Sequence, residues 1–296
     1  MDEAFADRRP VSVMFNNIRE ALPQFGISQA DLLYEAVEEG GITRVIGFFK
    51  NPGAVEKFGS VRSTRAYYLD MTLGHDAILM HAGGSEEALK MIKELGMYTI
   101  NGITDSKTYY RDAERRKAGV SLEHTLFAKG ADVEAKIVGS TSRVEYEPGY
   151  DPFSMKFEAD ASISGGNAAE SVSVKFSSYK TGIFEYSKAD GLYTVSQYGK
   201  PMVEGATGEQ LKVKNVVVVY TDVSAVGDKL GHMKIRMTGS GDGMLFLGGK
   251  SQVIKWSKAA IDKPYLFTDE NGEPLTFAAG VSYINVVGIN AKVEIG

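Results

Sequence analysis

Two arginines and two histidines share one short stretch of this 296-residue chain, and their neighbours suit an anion. Residues 58–85, FGSVRSTRAYYLDMTLGHDAILMHAGGS, set Arg62 and Arg65 beside Ser63 and Thr64 and carry His81 straight into Ala82-Gly83-Gly84-Ser85. Guanidinium groups grip phosphate, sulfate or carboxylate in a bidentate manner. A histidine at the carboxyl end of a strand, ahead of a glycine loop and a helix start, stands where α/β proteins place function. Free N–H groups at the helix start favour negative charge. The ligand-binding set expected from these residue types is Asn16, Asn17, Arg44, Arg62, Ser63, Arg65, Gly83, Gly84 and Ser85. His81 is the first candidate acid or base, with Glu35 or Glu38 as the carboxylate that would orient it, and His124 is the second. The competing reading pairs the arginines with Asp70, Glu56 or another carboxylate and packs His81 into the core against a backbone carbonyl. The remaining histidines, His75 at a helix end and His232 in a β-loop, read as structural and surface residues.

Other chemistries are excluded or weakly signalled. The chain has no cysteine, which removes disulfides, thiolate catalysis and cysteine-ligated zinc. No His-x-His, His-Glu-x-x-His or acid-rich loop marks a metal site, and no cofactor is expected. Gly239-Ser240-Gly241-Asp242-Gly243 lacks the Lys-Ser/Thr ending of a phosphate loop and reads as a strand turn. No serine stands in a Gly-x-Ser-x-Gly elbow. A net charge of −5 disfavours nucleic acid as a partner. No apolar run reaches the roughly 18 residues needed to span a membrane, and the start MDEAFADRRPVSV lacks the apolar core of a signal peptide.

The elements that must position these residues fall into two groups. Val11 to Phe15 reads as a strand ending in Asn16-Asn17, and residues 32–49 as a hairpin around Gly40-Gly41, with a helix capped by Ser28 over SQADLLYEAVEE as the alternative for its first arm. Val61 to Leu73 fits a helix capped by Ser63 or Thr64, which would put Arg62 and Arg65 on one helical face. Asp76 to His81 follows as a strand. Ser85 caps an amphipathic helix, SEEALKMIKELG, whose Glu86 and Glu87 complement its dipole. Arg111, Arg115 and Arg116 read as solvated surface, and SLEHTLFAKGADVEAKIV from Ser121 as one helix. Residues 1–140 are thus expected as a layered α/β domain and 141–170 as a linker or crossover. Residues 171–296, with Asp190-Gly191 and other Gly-rich turns, are expected as a mostly antiparallel β domain, a sandwich or partly open barrel. The fold class is α+β or α/β. Trp256, Tyr265 and Phe267 would either stack a glycan or, in the commoner use, fill a β core.

Longer motifs carry a family resemblance. Asn16-Asn17, PQFGISQADLLYEAVEEGGITR (23–44), GSVRSTRAYYLD (59–70), HAGGS (81–85), YYRD (109–112) and EHTLF (123–127) resemble the N-terminal domain of the YerB-like lipoprotein family. NVVVVYTD (215–222), GSGDGMLFLGGK (239–250), WSK (256–258) and the GVSYINVV end resemble its C-terminal domain. The match runs in order over nearly the whole chain. It departs at Leu122-Glu123-His124-Thr125-Leu126, where family members carry a Pro-His-Asn-Leu-Tyr-like stretch; His124 matches and its neighbours differ. The resemblance implies an extracytoplasmic bacterial protein, membrane-anchored only through a lipid on a cysteine carried by a longer precursor. In layout, the arginine turn followed by His-Ala-Gly-Gly is also similar to the LytR-CpsA-Psr wall-polymer ligases, which hold a polyprenyl pyrophosphate with arginines.

Together these readings lead to the expectation of a binding protein for an anionic small molecule, cell-envelope polymer or precursor. Two alternatives stay open. One is an enzyme of phosphoryl or glycan transfer or hydrolysis on a wall or lipid-linked polymer, with the arginines stabilising charge and His81 or His124 moving the proton. The other is a scaffold whose β domain docks protein partners.

Overall fold

The computed structural model describes residues 6–150 and 155–296. In the N-terminal half the main strands and helices are β1 (Val11–Asn16), β2 (Leu32–Val37), β3 (Thr43–Phe49), α1 (Ala66–Gly74), β4 (Ile78–His81), α2 (Glu86–Glu94), β5 (Thr99–Asn101), α3 (Ala113–Lys117) and α4 (Gly130–Val138). The C-terminal half adds β6 (Ser171–Lys175), β7 (Thr181–Ser187), β8 (Leu192–Gln197), β9 (Asn215–Thr221), β10 (Gly239–Leu247), β11 (Lys250–Lys258) and β12 (Ser282–Gly288). The architecture is α+β, a layered N-terminal domain followed by a β-rich C-terminal one.

One eleven-stranded sheet crosses both halves. From the Asn167–Ala168 edge its order is β11-β10-β9-β12-β2-β3-β1-β4-β5, with Leu266–Thr268 paired to β11. The last long strand of the chain, β12, lies parallel between β9 and β2. Hydrophobic sequence explains this central place. VVVV in β9 and YINVV in β12 are apolar on both faces, the pattern of strands covered on both sides. One face buries Val13, Phe15, Val45, Val216 and Val218 against Val172, Val174 and Phe184 of a second, six-stranded sheet that contains β6, β7 and β8. The other face buries Met14, Ile46, Leu79, Val217 and Val219 with Tyr67 and Tyr68 of α1 and with Trp256, Tyr265 and Phe267. Those last three aromatics are core residues; Trp256 is 1% exposed and donates its indole N–H to Tyr220 O at 3.0 Å.

The β2–β3 hairpin, the Asp190-Gly191 hairpin and the Ser85-capped helix form as the sequence predicts; Ser85 accepts from Ala88 N at 3.2 Å. Three segments differ. The helix expected from Val61 starts only at Ala66, with Arg65 at its N-cap. Residues 61–64 stay extended because their backbone groups bridge other strands: Arg62 N donates to Met14 O, Ala82 N to Arg62 O and Thr64 N to Gly83 O. Arg62 and Arg65 therefore do not share a helical face. The single helix expected from Ser121 is a 3₁₀ turn (Leu122–His124), a buried strand (Leu126–Ala128) and then α4. Arg115, expected in solvent, donates to Ala21 O at 2.7 Å and Pro23 O at 3.1 Å and lies over the Phe127 ring.

Candidate functional site

Strand directions gather the expected residues on one edge. β9, β12, β2, β1, β4 and β5 run the same way, and β3 runs against them. Asn16 ends β1, Glu38 follows β2 and His81 ends β4, so all three stand at the carboxyl edge where open α/β sheets hold ligands. Arg44 joins them because β3 enters there, in register with Asn16.

Beneath this edge lies a buried polar network. Asn17 Nδ2 donates to Glu35 Oε1 at 2.9 Å and Thr43 Oγ1 at 3.0 Å, and Asn17 Oδ1 accepts from Gln24 Nε2 at 2.7 Å. Glu35 also receives Tyr283 OH at 2.7 Å and the Lys180 ammonium at 2.7 Å. Glu35 thus serves Lys180 and does not orient His81. Asn17 is a structural amide with its side chain fully engaged inside the protein.

The arginines separate onto three carboxylates. Arg44 Nη1 lies 2.7 Å from each oxygen of the unexposed Glu38 and 2.6 Å from Ser63 O. Its N–H is aimed at Oε1, and Glu38 Oε2 is left without a directed donor among the described residues. Burial pushes the Glu38 carboxyl up to about 7, against the pull of Arg44 and Arg65. Arg65 grips Glu39 with two bonds, of 2.6 and 2.9 Å. Arg62 pairs with Glu123 at 3.0 Å. Asp70 and Glu56 partner none of these three arginines among the described residues.

The glycine loop is satisfied from within. His81 is 1% exposed; its Nδ1 meets Gly83 O at 2.8 Å and its Nε2 meets Thr99 Oγ1 at 3.1 Å. Both ring nitrogens are occupied, and burial lowers its pKa, so the ring stays neutral. His81 has no nitrogen left for a substrate, which removes the geometry for the proton transfer expected of it. Ser63 Oγ donates to Ala82 O, Gly83 N to Asn101 Oδ1 and Ser85 N to Thr64 O. Arg65, Gly84 and Ser85 do line a surface cleft of 620 Å³ with Lys90 and His232, but Glu86, Glu87 and Asp228 line it too. His232, expected as a simple surface residue, lies between Asp228 and Glu39.

His124 keeps one ring nitrogen without a hydrogen bond among the described residues. The Asn16 amide donates to Nδ1 at 2.8 Å, which places the ring proton on Nε2. That Nε2 is 3.6 Å from Glu123 Oε1. Burial lowers the pKa of His124, Glu123 raises it and Arg62 lowers it. One exposed carboxylate, Glu123, therefore lies across a half-buried guanidinium and a buried imidazole N–H. Arg62 Nε has no hydrogen-bond partner among the described residues. The structure thus brings Asn16, Arg62 and His124 together and assigns Asn17, Arg44, Ser63, Arg65, His81, Gly83 and Ser85 to internal bonding. Glu123 escaped the sequence reading because a short Leu-Glu-His run carries no signal of a pairing partner 61 residues away. Among the described residues no cluster of three or more His, Asp or Glu side chains could hold a metal ion.

Comparison with known proteins places the fold. The N-terminal domain of a family described as "Protein of unknown function (DUF3048)" matches residues 1–143, and its C-terminal domain matches residues 172–284. "Putative lipoprotein YerB" of Bacillus subtilis (strain 168) is 26% identical over 290 residues, which span 97% of this chain and 83% of that protein. The crystal structure of the YerB protein from Bacillus subtilis superposes with a TM-score of 0.84 at 24% identity, over 99% of this chain and 96% of that one.

Proposed function

We propose that this chain, which belongs to the DUF3048 family, is an extracytoplasmic, lipoprotein-type binding protein for an anionic ligand of the cell envelope. The relative named as a lipoprotein supports the location. The observation that carries the binding reading is the bridging carboxylate of Glu123. It is 53% exposed, stands on a 3₁₀ turn, and meets Arg62 and His124 where a ligand phosphate or carboxylate would meet them. An exposed ion pair of this kind holds by no more than about 1 kcal/mol. An incoming dianion gains charge-assisted bonds from the same two donors and displaces Glu123 at little cost. Asn16 serves the site by holding the His124 tautomer that donates.

Binding, rather than catalysis, fits the surroundings of these donors. Glu38, the carboxyl poised near neutrality, is sealed beneath Arg44 with no exposure, and His124 works here as a neutral donor. The test is a titration with inorganic pyrophosphate as probe, followed by calorimetry and thermal shift. Wild-type protein should gain melting temperature with added pyrophosphate, and Arg62→Ala should weaken binding by about tenfold or more, the loss of one charge-assisted contact. Equal affinity in Arg62→Ala would remove the site.

A further inference from the structure

A separate cavity of 370 Å³ lies between the loop after β1 and the end of β8. Leu22, Pro23 and Gln24 line one side, and Gln197, Tyr198 and Met202 the other. Gln197 is 1% exposed, yet neither Oε1 nor Nε2 has a partner among the described residues. Gln24 is equally buried. Its Nε2 donates to Asn16 O and Asn17 Oδ1, which fixes the amide, and its Oε1 has no partner. Buried amide atoms without partners destabilise a fold. Three of them on two side chains that line one cavity point to a ligand that completes them.

The cavity's chemistry narrows that ligand. A buried primary amide with its N–H and its C=O both unpaired among the described residues is matched by a peptide group, which offers one acceptor and one donor. The walls between the amides are apolar, which suits small side chains. Arg19 and Lys200 also line the cavity, and no carboxylate does. Arg19 stacks on the rings of Tyr198 at 4.9 Å and Tyr179 at 5.6 Å and makes no side-chain hydrogen bond or ion pair among the described residues, so its donors are free for an anion. That stacking occupies the Tyr198 ring that would otherwise serve a sugar. We propose that this cavity binds a short peptide through its backbone amide, with the peptide's free carboxylate meeting Arg19 and Lys200. A volume at the small end for ligand sites limits the bound part to a few residues. The inference uses neither Arg62 nor Glu123 and stands apart from the pyrophosphate site.

The test uses the whole chain and N-acetyl-trialanine, with its C-terminus either free or amidated, followed by calorimetry and amide NMR. The free acid should bind, and amidation should weaken it by about threefold or more, as should Lys200→Ala at an exposed position. Gln197→Leu should weaken it by about tenfold or more without lowering the melting temperature, because this amide has no bond to lose. Pyrophosphate affinity should be unchanged in Gln197→Leu, which separates failure here from failure at Arg62. Three results would overturn the proposal: equal peptide affinity in Gln197→Leu and wild type, indifference to both amidation and Lys200→Ala, or binding of N-acetylglucosamine in place of the peptide.

Discussion

Glu38 shows how far one side chain's surroundings set its chemistry. Burial lifts its carboxyl from an ordinary 4.5 to about 7, even though Arg44 and Arg65 favour its charged form. A folded value above the unfolded one means that the native state binds the proton more tightly. This group therefore supports the fold fully below about 4.5, and its contribution is lost as pH rises through 7. Between pH 5 and 8 the effect is on the order of 2 kcal/mol. Urea unfolding at those two values should show wild type losing that much more stability than Glu38→Gln on going to pH 8; parallel losses would place the proton elsewhere. The sequence made Arg44, Arg62 and Arg65 legible as a group, because guanidiniums near Ser and Gly signal anions. It hid their partners. Glu38 reads only as a carboxylate that would orient His81, nothing marks Glu39, and only the 3₁₀ turn at Glu39–Gly41 sets Glu39 against Arg65.

At the scale of elements, strong local signals succeeded and short apolar runs did not. The β2–β3 hairpin was legible from β-branched and aromatic residues around two glycines, and α2 from its serine cap and acidic first turn. Val61–Arg65 and Leu126–Ala128 were not, because runs this short fit helix or strand equally well and only their neighbours decide. Lys180, at the entrance to β7, illustrates the same limit. Nothing in SSYKTG marks it as buried, yet it is 2% exposed and pairs with Glu35 of β2, tying the second sheet to the first. Lys180→Met should leave a buried carboxylate alone and cost about 3–5 kcal/mol in urea unfolding, with part of that recovered in Lys180→Met/Glu35→Gln. A loss below about 1 kcal/mol would mean that Glu35 is held well enough by Asn17, Thr43 and Tyr283.

For the whole molecule, the decisive feature is the placing of β12 between β9 and β2. Period-two patterning identified the C-terminal strands, but no local pattern tells a strand near residue 285 to lie beside one near residue 35. That pairing completes the parallel set whose carboxyl edge bears Asn16, Arg62 and His124, and it sets the Lys180 sheet against that edge's foundations. The functional account rests on one exchange at this edge, Glu123 for a ligand anion. The direct measurement is pyrophosphate affinity in Glu123→Gln beside wild type, at pH 7.5 and low salt. If Glu123 holds the ligand's place, neutralising it frees Arg62 and the His124 N–H, and affinity should rise about three- to tenfold, the scale of one exposed ion pair. Unchanged or weaker binding in Glu123→Gln would contradict the account, because Glu123 would then be no competitor for the anion at Arg62 and His124.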